Sequence, residues 1–191
     1  MKALVAYCTV HGSTEGVAHR IGARLTKAGL PTDVRRMNEV VTVEQYDVAI
    51  CGSAVHNQSW LPDAVEFFDR NTSSLLRIPV WLFSVCSVGE TSSFFADRIS
   101  GLIRRRRTDL KSVATIGSVP TIQEHRYFAG VIERTDWNLS GRFFLRLFGG
   151  TYGDHRDWDD IDNWTDQIIK RTCEEEAKGP LRTAISPDEE P

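Results

Sequence analysis

The chain has 191 residues, 41% hydrophobic and 26% charged, enough apolar material for one domain to bury a full core without disulfides or metal. A formal net charge of −3 excludes the strongly basic balance of a nucleic-acid binder. Part of the acid sits in Glu174–Glu176 and Asp188–Glu190, so the rest of the body is near neutral.

In chain order, the apolar run Ala3–Cys8 reads as a first strand. Val17, Ala18, Ile21, Leu25 and Ala28 then recur at helical spacing over Thr14–Ala28, and Gly29 is the stop. Pro31–Arg36 reads as a short second strand, placed at a sheet edge by its proline. Tyr46–Gly52 is the third strand, and Leu61–Arg70 a helix with Pro62 in its first turn. Pro79–Val85 is almost wholly apolar, as a strand buried on both faces should be. Ser92–Arg106 reads as a helix ending in arginines, where cations complement the dipole. Two segments compete for the fifth strand, Ser112–Gly117 and Arg126–Ile132, and the second is preferred. Leu139–Phe148 has an amphipathic helical pattern, and Asp159–Ala177 is the last long helix, with Asp157 or Asp159 as its cap. The domain is expected to span 1–178, with 179–191 a solvated tail.

Strand–helix alternation of this kind predicts an α/β fold with a doubly wound parallel sheet. In such sheets ligands bind at the carboxyl edge, where the loops after strands one, three and four converge. Those loops are Thr9–Glu15, Ser53–Trp60 and Cys86–Thr91. The first offers hydroxyls and a glycine between a strand and a helix N-terminus, a setting that holds a phosphate. It carries no Lys or Arg and neither a dinucleotide fingerprint nor a triphosphate motif, which narrows the ligand to a phosphate monoester. The competing reading is a helix capped by Ser13 with Glu15 in its first turn. In the second loop, Trp60 either stacks on a flat ligand or packs at a helix start. The four cysteines show no C-x-x-C spacing and read as free thiols, with no metal site. No signal peptide or run of about 18 apolar residues occurs, so a cytoplasmic location is expected.

The segment Tyr7-Cys-Thr9-Val-His11-Gly12-Ser13-Thr14-Glu15 resembles the FMN-phosphate signature of flavodoxins, with Val10 a departure from it. Phe128-Ala-Gly130, Gly149-Gly150 and Gly153–Asp159 leading into Trp164 extend the likeness to the quinone-dependent protoporphyrinogen oxidase subgroup. The resemblance implies a flavodoxin-like three-layer sandwich with a five-stranded parallel sheet of order 2-1-3-4-5 and helices on both faces. It also implies FMN as cofactor. Thr9, His11, Gly12, Ser13 and Thr14 would hold the phosphate. Ser53, Ala54, Val55, His56 and Trp60 would border one ring face, and Cys86, Ser87, Val88, Gly89 and Glu90 the other face and edge.

A shuttle flavodoxin is expected to carry a strongly acidic docking surface and a glycine in the second loop. Neither is present, which favours two-electron chemistry. The expected function is oxidation of a small organic substrate, by resemblance protoporphyrinogen IX, with a quinone as acceptor. An NAD(P)H:quinone reductase, a one-electron carrier and an interaction protein that has lost its flavin are the alternatives. His56 is the proton-transfer candidate. Arg126, Tyr127 and Arg134 are substrate-side candidates. Phe143, Phe144, Arg142 and Arg146 form either a core-packing helix or a surface that lines the substrate or touches a membrane from one side. Arg104–Arg107 are read as dipole partners or as a patch for anions. The oligomeric state is not encoded in any pattern found.

Overall fold

In the computed structural model of the chain, which describes residues 1–105, 121–133, 145–147 and 149–178, the first apolar run is strand β1 (Ala3–Cys8). All six of its residues are buried, as a strand covered on both faces requires. Helix α1 (Ser13–Lys27) returns the chain to β2 (Thr32–Arg36), the expected edge strand. There follow β3 (Val48–His56), β4 (Ser59–Trp60), α2 (Pro62–Leu75) with proline in its first turn, and β5 (Val80–Cys86). Next come α3 (Asp97–Arg105), β6 (Ile122–Ala129), β7 (Val131–Ile132), β8 (Gly153–Asp154) and α4 (Trp158–Lys178).

The five long strands run in the order β2-β1-β3-β5-β6 with every neighbouring pair parallel, which is the expected 2-1-3-4-5 order. Alternate strand residues feed two cores. Leu4, Ala6, Cys51 and Leu82 face Phe67 and Phe68 of α2. Val5, Ile50, Trp81 and Phe83 face Val17, Ile21 and Leu25 of α1 and Ile161, Trp164 and Ile168 of α4. Cys8 and Cys51 are buried thiols in the α2-side core, and burial pushes the Cys8 thiol up to about 12.

Four sequence expectations are corrected. Strand β3 does not stop at Gly52. It continues through His56 and turns back in an antiparallel pair, Val55 with Trp60 and His56 with Ser59. Asn57 and Gln58 both adopt positive φ (50° and 60°), the geometry of a two-residue hairpin turn matched to strand twist. Helix α3 starts at Asp97 rather than Ser92, because Val88 and Ser93 form a β-bridge and the Phe94 N–H is bonded to the Ser87 carbonyl at 2.9 Å. The fifth sheet strand is Ile122–Ala129, and Val131–Ile132 leaves it to pair with β8 in a separate ribbon. Ser13 does not cap α1, whose N-cap is Gly12 without a side-chain bond.

Asp157 does cap α4, accepting from the Asp160 N–H at 3.0 Å. Ser112–Gly117, nearly all of Leu139–Phe148 and the tail 179–191 lie outside the described residues.

The last helix is clasped to the first by four side chains. Arg20 binds Asp162 through Nε and Nη2 at 2.8 and 2.7 Å. Arg24 binds Asp166 twice at 2.6 Å and reaches Asp162 at 3.0 Å. The hydrogen bond from Arg20 holds the Asp162 carboxyl below its ordinary range, and the one from Arg24 does the same for Asp166. A carboxyl whose folded pKa is depressed stabilises the fold above its unfolded pKa of about 3.9 and loses that contribution as the pH falls through the folded value. Asp162→Asn should therefore lower the Tm at neutral pH, by an amount that shrinks as the pH is brought down through the folded pKa. Thermal melts of both proteins across that range check this. A difference that persists in acid would mean the clasp acts by packing.

Candidate functional site

The carboxyl ends of β1, β3 and β5 open into a cleft of about 590 Å³. Its floor is the first loop and first turn of α1, with Thr9, Val10, His11, Ser13 and Thr14. Gly12 makes the turn possible. Its φ of 83° is left-handed, and its N–H donates to Thr9 Oγ1 at 3.0 Å. Gly12 itself is not in the cleft lining but sets the loop that is. Ser13 Oγ accepts the Val131 N–H at 2.9 Å and keeps its own hydrogen to donate. Thr14 is fully buried, and its Oγ1 has no hydrogen-bond partner among the described residues. A buried hydroxyl without a partner costs about 1–3 kcal/mol, so one facing a cleft at a helix N-terminus points to an acceptor that belongs there.

Glu15 would oppose an anion if it faced the cleft. Instead it accepts from Tyr7 Oη at 2.9 Å and from Arg36 Nη2 at 3.0 Å. Burial first, and then the Glu15 carboxylate, raise the Tyr7 phenol above its ordinary value. Val10, the departure from the signature, stands 60% exposed at the rim.

One side wall is the hairpin arm, Ala54, Val55 and exposed His56, with Leu61 behind. The other is Val85, Cys86 and Ser87 at the end of β5. Phe94, Gly130, Val131 and Ile132 complete the lining. Phe94 is held by its N–H to Ser87 and by its carbonyl, which accepts from the Thr151 N–H at 2.9 Å. It packs with Ile132 and Leu145 into a small third core.

Several predicted site residues do other work. Trp60 is 3% exposed and sits in the α2-side core against Phe68. Its Nε1 donates to Ser84 Oγ at 2.7 Å, itself 2.8 Å from His125 Nε2. The hairpin swings Trp60 inward, so it cannot stack on a ligand. Ser53 is buried too. Its Oγ receives the Leu61 N–H at 3.1 Å and donates to the Ala54 carbonyl at 2.9 Å, which ties the two hairpin strands' ends.

Val88, Gly89 and Glu90 are not among the residues that line the cleft. The Gly89 and Glu90 N–H groups bond the Ser92 and Tyr127 carbonyls, each at 2.9 Å. Arg104 clamps this turn, donating to the Gly89 carbonyl at 2.8 Å and the Ser92 carbonyl at 3.1 Å. That clamp, rather than an anion patch, is the role of the first arginine of the run.

Arg126 points to the α4 side, where it pairs with Asp160 and faces Glu124. Tyr127 is buried and stacks on His125 at 4.2 Å on the opposite face. Neither lines the cleft. Arg146 is exposed and also outside it. Arg134, Arg142, Phe143 and Phe144 lie outside the described residues, as do Arg106 and Arg107.

Sequence reading missed Phe94, Val131 and Ile132, because their wall is assembled from segments distant in sequence. In the sequence Gly130 stands out only within the family mark Phe128–Gly130.

A family model described as Flavodoxin domain matches residues 4–149. No curated protein matches the chain. Among solved structures, oxidised Flavodoxin 1 from Bacillus cereus superposes with a TM-score of 0.53 at 13% identity, covering 89% of this chain and 98% of that one. The Streptococcus pneumonia TIGR4 flavodoxin gives 0.53 at 11%, covering 90% and 99%. The rubredoxin oxygen:oxidoreductase from Desulfovibrio gigas gives 0.51 at 12%, covering 91% of this chain, which spans only 36% of that protein's length. At these identities the likeness is one of fold.

Proposed function

The chain belongs to the flavodoxin domain family, and we propose that it binds FMN in this cleft and works as a two-electron flavin oxidoreductase. The observation that carries the cofactor is Thr14 Oγ1, buried at the N-terminus of α1 without a partner among the described residues. The hydroxyls of Thr9, Ser13 and Thr14 and the first-turn N–H groups hold the phosphate. Ala54–His56 and Cys86–Ser87 flank the place for the ring, and Phe94, Val131 and Ile132 keep water from it. When bound, FMN supplies the electron-accepting ring, while the protein orients it and limits what reaches it.

Two-electron use is supported by the hairpin turn. A peptide that turns over to stabilise a one-electron-reduced flavin does so at low cost when it contains glycine. Here the turn is Asn57-Gln58, already at positive φ and closed on both sides by strand pairing. Anaerobic photoreduction of the FMN-loaded protein should pass from the oxidised to the fully reduced spectrum without accumulating a blue one-electron form. A stable blue form would instead favour a carrier.

The donor is a small organic molecule and the acceptor a quinone, with protoporphyrinogen IX the first donor to test. This rests on the resemblance carried by Phe128–Gly130 and Gly153–Asp159, and on the apolar wall facing the cleft. His56, at the cleft and exposed, is the proton-transfer residue of the proposal. Quinone-dependent oxidation of protoporphyrinogen, measured beside NADH oxidation, separates this from an NAD(P)H:quinone reductase. Among the described residues no helix is long and apolar enough to cross a membrane. Contact with a quinone-bearing membrane would thus be peripheral, and vesicle flotation tests it. The first experiment is simpler: a purified protein that is colourless and takes up no FMN would sink the whole proposal.

A further inference from the structure

The loop Thr9–Glu15 contains no Lys or Arg in sequence, yet the fold brings an arginine to Gly16, the residue that follows it. Arg156, from the segment between β8 and α4, lies against the first turn of α1. A Cβ on Gly16 would stand 2.3 Å from Arg156 Nη1, so the guanidinium fills the space a side chain at residue 16 would need.

Its other nitrogens are committed. The backbone N–H, Nε and Nη2 of Arg156 all donate to the Asp154 carboxylate, at 3.0, 2.9 and 2.6 Å. The guanidinium also lies over the Trp158 ring, 4.4 Å from its centroid. The segment itself is pinned, because the His155 N–H donates to the Gly130 carbonyl at 3.0 Å and the His155 carbonyl accepts from Ser92 Oγ at 2.7 Å. Among the described residues Nη1 has no such partner, and it lies against Gly16 of α1.

This is the wrong end of a helix for a cation, since the N-terminus already carries partial positive charge. The acidic residue of that turn does not compensate, because Glu15 is bonded to Tyr7 and Arg36. Asp154 offsets the guanidinium from one side only, so an anion at the N-terminus would balance it from the other, and the fully buried Thr14 Oγ1, without a partner among the described residues, independently marks a place for one.

We infer that Arg156 is the cationic member of the phosphate site, aimed by Asp154 and Trp158 and admitted to the helix by the missing side chain at Gly16. The inference rests on the FMN reading above and adds a residue that the loop motif does not contain. It explains how a phosphate monoester is held by a loop without lysine or arginine. It also gives the segment Gly153–Trp158 a role beyond connecting β8 to α4.

The test compares FMN with riboflavin, which has the same ring and no phosphate, in flavin-fluorescence titrations of the FMN-free protein at low and high salt. Arg156→Ala should weaken FMN by about tenfold or more, as loss of a charge-assisted contact does, and change riboflavin by less than about twofold. Gly16→Ala keeps the arginine but evicts it, and should weaken FMN in the same selective way while leaving α1 helical by circular dichroism. Both variants should show a flatter salt dependence than the wild type.

A parallel loss of FMN and riboflavin would make Arg156 a structural tie and overturn the inference. So would unchanged FMN affinity in either folded variant. If the wild type binds neither flavin, the function proposed above fails first, which the same titration reveals separately.

Discussion

Thr14→Val lowers the affinity for FMN by at least about tenfold and at the same time raises the Tm of the FMN-free protein. The two effects share one cause. Thr14 is 0% exposed and its hydroxyl oxygen has no hydrogen-bond partner among the described residues. Valine has nearly the same shape, so the exchange removes an unmet polar group without opening a cavity. An unpaired buried hydroxyl costs about 1–3 kcal/mol, and for a chain of this size each kcal/mol is about 2–4 °C in Tm. In the loaded protein, on the proposed reading, the same hydroxyl would give a hydrogen bond to a charged phosphate oxygen, worth about 1.5–3 kcal/mol, and its loss would be a factor of ten or more in affinity. Thr14→Ser should restore most of the binding. Calorimetry of the flavin-free proteins and fluorescence titration with FMN measure the pair. Unchanged FMN affinity in Thr14→Val would remove the phosphate from this loop.

What could be read from sequence divides along a physical line. β1 matches its predicted span, because a central parallel strand is an unbroken apolar run between polar breaks. A parallel doubly wound sheet, with a ligand edge expected at its carboxyl end, follows from alternation and handed crossovers, whereas the strand order itself comes from the family resemblance. The strand–loop–helix junction at Thr9–Glu15 is legible for a local reason: hydroxyls and a glycine between an apolar run and a helical pattern. The hairpin Val55–Trp60 is not. Its turn has no glycine, and the positive φ of Asn57 and Gln58 is imposed by the strands it joins. Missing that turn misplaced Trp60, since a flat loop would leave it beside the ligand and a hairpin drives it into the core. The resemblance likewise gives Val88, Gly89 and Glu90 to the ring, whereas Arg104, fifteen residues beyond Gly89, holds their turn. Arg126 shows the same limit from the other side: its charge suggested substrate, but Asp160 on α4 claims it. Contacts between distant segments set these side chains, and no local pattern encodes them.

The largest loss of stability is expected at Trp164, where the last helix meets the sheet. Its ring is fully buried, 5.6 Å from Phe128 and 6.3 Å from Phe83, both edge-on. Its Nε1 donates to Glu124 Oε1 at 3.1 Å, and Glu124 also faces Arg171 at 3.4 Å. Trp164→Ala should cost about 3–5 kcal/mol, from lost burial and the cavity left between α4 and the sheet. At about 2–4 °C per kcal/mol the Tm falls by roughly 6–20 °C. Trp164→Phe keeps most of the ring and gives up the bond to Glu124, so about 1 kcal/mol is expected. Urea unfolding of the three proteins checks both values, and a cost below about 1 kcal/mol for the alanine variant would show that α4 is held by its surface clasp instead. The consequence reaches the cleft. The start of α4 carries the Asp157 cap and Trp158, which with Asp154 positions Arg156 against α1. The alanine variant should therefore lose FMN affinity at temperatures where the sheet is still folded, while the phenylalanine variant keeps it. The helix that closes the fold would thereby also help to build the proposed phosphate site near the start of the chain.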